Sequence, residues 1–187
     1  MTYREAMDLG EKVLKMADIA DAKVDAWLLL EMVCKIDRNF YYLHLEDDLS
    51  EEQVSGYEIA LKKRAEHIPL QYIVGETEFM GLRFKVNSSV LVPRQDTETL
   101  VEEALKVIEP GMKVLDLCTG SGCIIISILH NIVNVEGDAV DISRQALNVA
   151  IENAKLNDVV VNFERSDLFD NVTGTYDVIV SNPPYIP

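Results

Sequence analysis

From Lys113 onwards the sequence alternates short apolar stretches with amphipathic ones. The short stretches are typical of buried strands, and the amphipathic ones repeat their apolar residues at helical spacing. The predicted strands are Lys113–Leu117, Val135–Asp141, Val159–Glu164 and Tyr176–Ser181, and the predicted helices are Cys123–Asn131 and Arg144–Leu156. Strands that alternate with helices join through right-handed crossovers and form a parallel sheet. This pattern predicts an α/β fold whose ligands gather at the carboxyl ends of the strands.

The residues before this region divide into two further parts. Residues 1–74 repeat apolar residues at helical spacing and show little strand signal, which predicts a small helical bundle. Residues 75–92 alternate apolar and polar side chains around Met80-Gly81, which predicts a β-hairpin linker. Residues 93–187 then form the α/β domain.

Within the bundle, two local features are informative. Ser50-Glu-Glu-Gln53 has the spacing of a capping box and predicts a helix that begins there. The aromatic residues Trp27, Tyr41 and Tyr42 are expected to build the bundle core.

Charge and cysteine content exclude several classes of protein. The chain has 17 Lys and Arg against 32 Asp and Glu, a net charge of −15, which disfavours a dedicated binder of duplex nucleic acid. Three cysteines cannot close a disulfide framework, and their spacing matches no common zinc motif. The chain begins without a signal-peptide pattern and has no apolar run long enough to cross a bilayer. We therefore expect a cytoplasmic protein with no metal and no membrane association.

The first candidate site follows the first predicted strand. Asp116 lies near the end of that strand, and Cys118-Thr-Gly-Ser-Gly122 leads into the next helix. Glycines let a ligand approach the backbone closely, and a helix N-terminus favours polar ligand groups, so we expect a nucleoside-type cofactor. Ile125 replaces the third small residue of a dinucleotide fingerprint, and no Gly-Lys-Ser/Thr follows, which argues against NAD, FAD and a P-loop.

Acidic residues follow the next two predicted strands. Asp141 ends the second strand, where a carboxylate can accept both hydroxyls of a ribose; the alternative is that it caps the helix beginning near Ser143. Asp167 follows the third strand, where it could accept from an adenine amino group while Leu168 covers the base. A simple turn is the alternative there.

The fourth predicted strand runs into Asn182-Pro-Pro-Tyr185. Prolines fix the backbone and donate no hydrogen bond, so the loop is rigid and rich in acceptors. Asn182 Oδ1 and the Pro183 carbonyl could each accept one N–H of a planar NH₂ group, and Tyr185 could pack over its plane. The motif thus predicts a site for an amide or exocyclic amine.

Taken in order, these motifs resemble those of S-adenosylmethionine-dependent methyltransferases that modify such nitrogens. The segments Gln71–Phe79 and Leu91–Glu98 are similar to one branch, the peptide chain release factor glutamine N5-methyltransferases of the HemK/PrmC family. The resemblance implies a helical substrate-recognition bundle followed by a Rossmann-like class I methyltransferase domain that is incomplete at its C-terminus. It implies S-adenosylmethionine as cofactor and a release factor, modified at a Gly-Gly-Gln glutamine, as substrate.

The resemblance also assigns roles residue by residue. The implied cofactor-binding residues are Cys118, Thr119, Gly120, Ser121, Gly122, Asp141, Asp167, Leu168 and Asn182; the implied catalytic residues are Asn182, Pro183 and Tyr185; and the implied substrate-binding residues are Asn182, Pro183, Pro184 and Tyr185. Arg94 and Glu98 could support the site, although a solvated helix start explains them almost as well.

This chain departs from the family pattern in two places. Cys118 stands where many methyltransferases have a glycine, so we expect an ordinary negative φ there. The family's chains also continue beyond Pro187 with further strands, so this chain alone could be inactive. Two other functions therefore stay open: an adenine-N6 DNA methyltransferase, which could use the same asparagine motif, and a non-catalytic cofactor-binding fragment.

Overall fold

The computed structural model describes residues 1–183. The chain consists of two compact units, Met1–Val74 and Gly75–Pro187. The first unit contains five helices, α1 (Tyr3–Met16), α2 (Ala22–Cys34), α3 (Arg38–Leu43), α4 (Glu51–Ala65) and α5 (Leu70–Val74). The second contains β1 (Glu76–Phe79), β2 (Leu82–Lys85), α6 (Gln95–Leu105), β3 (Lys113–Leu117), α7 (Cys123–Asn131), β4 (Glu136–Asp141), α8 (Arg144–Leu156), β5 (Asn162–Arg165) and β6 (Val178–Ser181).

The core of the helical unit contains one deeply buried tyrosine that links three helices. Tyr57 on α4 is fully buried, and its hydroxyl donates to the carbonyl of Ala26 on α2 at 3.1 Å. Gly10 leaves the space for this ring on α1, because a Cβ there would lie 2.0 Å from the Tyr57 hydroxyl. A part-buried Arg64–Asp25 ion pair at 2.7 Å joins α4 to α2 two turns further along α4.

The local predictions for this unit are confirmed in part. Ser50 caps α4 in the predicted capping box with Gln53. Trp27 is buried and Tyr41 packs against its ring edge-on. The expectation for Tyr42 is wrong, because its side chain is 65% exposed. Tyr41 and Tyr42 are consecutive on the short helix α3, and consecutive helical residues point in different directions.

The second unit is built on the predicted parallel sheet. The strand order is β5-β4-β3-β6, and all three neighbouring pairs are parallel. The predicted bounds of α7 and α8 agree with the structure, whereas β5 and β6 begin later than predicted, at Asn162 and Val178. Tyr176 leaves the ladder because its hydroxyl donates to Asp138 at 2.6 Å. The predicted α/β fold class is confirmed.

The predicted hairpin forms from β1 and β2. Its turn residues Met80 and Gly81 both have positive φ, 51° and 73°, as a type I′ hairpin turn requires. Phe79 on β1 and Phe84 on β2 both lie in the core of the second unit. The hairpin, predicted as a linker, is thus packed into the α/β unit.

We expect Gly10→Ala to destabilise the helical unit by about 1–3 kcal/mol, because the clash with Tyr57 outweighs the gain in helix propensity of about 1 kcal/mol. Gly56→Ala is the matched control: its Cβ would meet only the Val33 side chain, at 3.2 Å. Trp27, the single tryptophan, reports unfolding of this unit by fluorescence in urea. Equal unfolding midpoints for the two variants would contradict this packing.

Candidate active site

The turn between β3 and α7 is held in a left-handed conformation at three positions. Cys118, Gly120 and Gly122 have φ of 59°, 55° and 80°. The prediction of an ordinary φ for Cys118 is therefore wrong. Two hydrogen bonds fix the chain on either side of it: Leu117 O accepts from the Ser181 hydroxyl at 2.9 Å, and Thr119 N donates to Val140 O at 3.1 Å. These contacts hold Cys118, a residue with a Cβ, in a left-handed conformation that costs roughly 1–2 kcal/mol.

The two glycines of this turn are needed for different reasons. A Cβ on Gly122 would lie 2.8 Å from Ile126 Cδ1 and 3.1 Å from Ala150 Cβ, so glycine there lets α8 pack against the turn. A Cβ on Gly120 would meet nothing within 4 Å. The backbone at Gly120 is therefore open on one side, which is where a ligand could approach it.

Asp116 supports the turn from inside the protein. The residue is fully buried, and its Oδ2 accepts from the Thr119 hydroxyl at 2.6 Å, whereas Oδ1 has no hydrogen-bond partner among the described residues. Burial raises the pKa of this carboxyl to about 7, although the hydrogen bond from Thr119 opposes the increase. The negative charge of Asp141 raises it further.

Asp141 connects the turn to the next loop. Its Oδ2 accepts from Gly120 N and its Oδ1 from Ser143 N, both at 2.9 Å. Ser143 is the residue that caps α8, because its hydroxyl accepts from Ala146 N. Asp141 is therefore not the helix cap. Each carboxylate oxygen can accept a second hydrogen bond, so the side chain keeps capacity for ligand hydroxyls.

The loop after β5 is fixed through a serine that sequence reasoning missed. Ser166 is buried; its hydroxyl donates to Leu168 O at 2.8 Å and accepts from Asn171 N at 2.9 Å. Asp167 and Leu168 are exposed, and Leu168 has a φ of 46°. The loop thus presents both predicted residues to solvent at the carboxyl edge of the sheet.

Asn182 follows β6 and is held from α6. Its Nδ2 donates to the Thr97 hydroxyl at 3.2 Å, and Thr97 is buried in the first turn of α6. The predicted carbonyl acceptor Pro183 is exposed. Pro184 and Tyr185 lie outside the described residues.

The contact between Thr97 and Asn182 had one signal in the sequence: Thr97 and Glu98 lie in the Leu91–Glu98 segment that resembles the family. Glu98 is not merely part of a solvated helix start, because its Oε1 accepts from Met80 N at 2.7 Å and ties α6 to the hairpin turn. The amide of Asn182 and the hairpin are therefore both held by the beginning of α6.

The strand order brings the four predicted segments to one edge. In the register of the sheet, Arg165 pairs with Asp141, Val140 with Leu117, and Leu117 with Ser181. The residues that follow these strand ends lie along a line of three inter-strand gaps, about 14 Å in all. The glycine turn lies near the middle of this line, between the acidic residues and Asn182.

The cysteines at this edge are neutral thiols. Burial raises the pKa of Cys118, with a further increase from Asp141, and it raises the pKa of Cys123 to about 12. A thiolate, the form that attacks or binds metals, is therefore disfavoured at both residues. Within residues 1–183, no group of His, Cys, Asp and Glu side chains could hold a metal ion.

A cavity of about 500 Å³ lies on one face of the sheet and shares no residue with the turn. It is lined by the polar groups of Lys113, Asp138 and Tyr176 among others. Burial alone would raise the pKa of Asp138, but hydrogen bonds from Tyr176, Asn162 and Lys113 lower it. The polar groups of this cavity satisfy one another.

Comparison with known proteins shows to which family of methyltransferases this chain belongs. Residues 5–75 match the family model of the PrmC N-terminal domain, and residues 94–186 match that of the methyltransferase small domain. The whole chain aligns with release factor glutamine methyltransferases at 37% identity in Koribacter versatilis and 44% in Cereibacter sphaeroides. The chain belongs to the release factor glutamine methyltransferase family.

The chain spans about two thirds of the length of these members of the family, 68% and 67% respectively. Among solved structures, Trm5b of Pyrococcus abyssi is 26% identical with a TM-score of 0.51, over 59% of this chain and 34% of that one. The tRNA (uracil-54, C5)-methyltransferase of the same organism has the same TM-score at 17% identity, over 58% and 27% of the two chains, which shows the fold alone. The predicted resemblance to the release factor glutamine methyltransferase family is confirmed.

We expect Asp116 to make folding stability pH-dependent. Its pKa in the folded protein, about 7, exceeds its ordinary value of 3.8, so protonation favours the folded state. Its contribution to stability is fully present below about pH 4, decreases as the pH rises towards 7, and changes little above that.

Asp116→Asn removes this contribution. The stability difference between the variant and the original protein should then change by up to about 1.4 kcal/mol per pH unit within the window, as measured by urea unfolding at a series of pH values. Parallel pH profiles for the two proteins would show that Asp116 titrates normally.

Proposed function

We propose that the protein binds S-adenosylmethionine at the carboxyl edge of the sheet and methylates the side-chain N5 of a Gly-Gly-Gln glutamine in a peptide chain release factor. The observation that carries the proposal is the joint position of an open glycine backbone, a carboxylate with free acceptor capacity and an oriented asparagine amide along one sheet edge. Membership in the family supports the same reaction.

The chain offers fitting partners to each part of the cofactor. The turn from Cys118 to Gly122 is open at Gly120, so the cofactor can lie directly against the protein backbone there. Asp141 can accept the ribose hydroxyls. Beside it, Ile142 and Leu168 are more than half exposed and could cover the two faces of the adenine. Asp167 could accept a hydrogen bond from the amino group of the adenine.

The reaction demands orientation more than proton transfer. When bound, the cofactor supplies an electrophilic methyl group on its sulfonium. The amide nitrogen of glutamine is a weak nucleophile, because its lone pair is delocalised into the carbonyl. Two acceptors, Asn182 Oδ1 and the Pro183 carbonyl, would hold the NH₂ in line with the methyl and favour the charge that develops as the lone pair localises.

Thr97 makes this orientation specific. An amide whose Nδ2 donates to the Thr97 hydroxyl leaves its Oδ1 directed elsewhere, free to accept from a substrate. From the sequence motif, Pro184 would stiffen the loop and Tyr185 would pack over the plane of the bound amide. No strong base is required, because the proton can leave late to the same acceptors or to water.

We propose a protein substrate, held in part by the helical unit, for two reasons. Residues 5–75 match a domain characteristic of this family, and the charge of −15 opposes binding to a phosphate backbone. The same charge weighs against the adenine-N6 DNA methyltransferase. Within the described residues, no helix combines the length and apolarity needed to cross a membrane. We expect the protein to act in the cytoplasm, in translation termination.

Asn182→Ala should lower methyl transfer about 10²–10³-fold, because one preorganised acceptor is lost, while cofactor affinity should fall much less. The measurement is mass spectrometry of a release factor incubated with the full-length enzyme and labelled S-adenosylmethionine. Thr97→Val should lower the rate of methyl transfer and leave the Michaelis constant for cofactor unchanged. Thr97→Ser should keep the normal rate, because serine retains the hydroxyl that accepts from Asn182. Near-normal turnover by Asn182→Ala would reduce the motif to a structural turn.

Asp141→Ala should weaken cofactor binding by roughly 1–3 kcal/mol, because ligand hydroxyls lose their acceptor and the Gly120 N–H loses its partner. Calorimetry with S-adenosylhomocysteine measures the affinity directly. Asp138→Ala is the matched control, since Asp138 lies on the same strand but lines the cavity around Lys113 and Tyr176. Unchanged affinity of the Asp141 variant would exclude this carboxylate from the site.

A further inference from the structure

Asn153 on α8 is a buried polar side chain with all its hydrogen-bonding groups in use. It is fully buried, its Nδ2 donates to Ser121 O at 2.9 Å and to Lys85 O at 3.0 Å, and its Oδ1 accepts from Lys85 N at 2.6 Å. One side chain therefore joins three backbone groups from two separate segments, the hairpin strand β2 and the glycine turn.

Asn157 repeats half of this arrangement one helical turn later. Its Nδ2 donates to Arg83 O at 2.9 Å and to Asn153 O at 2.9 Å. Four residues along a helix rise about 6 Å, close to the roughly 6.7 Å that separates alternate residues of a strand. The two asparagines thus act as an edge partner for alternate residues of β2, Arg83 and Lys85.

Of these two asparagines, only Asn153 also contacts the glycine turn, at the peptide between Ser121 and Gly122. The peptide between Ser121 and Gly122 has its carbonyl held by Asn153 and its N–H donating to Thr119 O at 2.9 Å. Gly122 also lets Ala150 of the same helix approach closely. Helix α8 therefore fixes both the orientation and the position of the unit that ends the turn and begins α7.

We propose that Asn153 is a positioning residue for the cofactor turn, acting through the Ser121 carbonyl and coupling the turn to the hairpin. This inference rests on the proposed binding of cofactor at residues 118–122. Without the Asn153 amide, the Ser121–Gly122 peptide can rotate, and the N–H groups and the open face at Gly120 lose their fixed arrangement. The hairpin contact alone would have no such effect.

Asn153→Ala and Asn157→Ala separate the two roles. Both variants remove contacts to β2, so both should lower the unfolding temperature of the full-length protein. Only Asn153→Ala should also weaken S-adenosylhomocysteine binding, by about tenfold or more, with Asn157→Ala within about twofold of the original protein. Calorimetry well below the unfolding temperatures measures both affinities.

A second variant, Asn153→Asp, nearly keeps the shape and the acceptor for Lys85 N, but faces two carbonyls with a carboxylate. Its affinity should also fall at least tenfold, and acidification should restore part of it, because a protonated carboxyl regains one donor. Asn153→Ala should show no such recovery.

The outcomes distinguish the inference from the proposed function. An original protein that binds no cofactor overturns the proposed function. If the original protein binds and the Asn153 variants bind as well as Asn157→Ala does, Asn153 only stabilises the hairpin, and the positioning role is overturned.

Discussion

The carboxylate of Asp141 holds the turn that follows the neighbouring strand, and the arrangement of the sheet edge depends on that contact. Its hydrogen bond to Gly120 N joins the loop after β4 to the loop after β3, and its second oxygen fixes the start of α8 through Ser143. The left-handed conformation of this turn is costly at Cys118, the one of its three positive-φ residues that is not glycine. Side chains from three directions stabilise it, namely Asp141, Asp116 and Asn153.

Burial and charge are balanced closely at this edge. Asp116 has no exposed surface and lies near the charge of Asp141, which together keep its pKa high. The same surroundings keep the thiols of Cys118 and Cys123 protonated. The edge therefore offers backbone and hydroxyl hydrogen bonds together with the carboxylates of the half-buried Asp141 and the exposed Asp167, which suits a reaction that needs alignment of an amide more than a strong base.

Local patterns in the sequence predict the elements whose cause is local. The bounds of α7 and α8 follow from helical periodicity, the hairpin from the alternation of apolar and polar residues around Met80-Gly81, and the cap of α4 from a capping box. The positive φ of Cys118 was missed, because contacts from Ser181 and Val140, distant in sequence, impose it. Thr97 and Asn153 were missed for the same reason, because their partners are distant in sequence. Ser166 was missed although its partners, Leu168 and Asn171, are close in sequence.

The central claim is that cofactor binds against the turn from Cys118 to Gly122, and amide chemical shifts test it most directly. The full-length protein, labelled with ¹⁵N, would be titrated with S-adenosylhomocysteine. The largest shifts should fall on Gly120, Gly122 and Ser143, with little change at Lys113 and Tyr176. Shifts confined to the cavity around Lys113 and Tyr176, with an unchanged turn, would contradict the account.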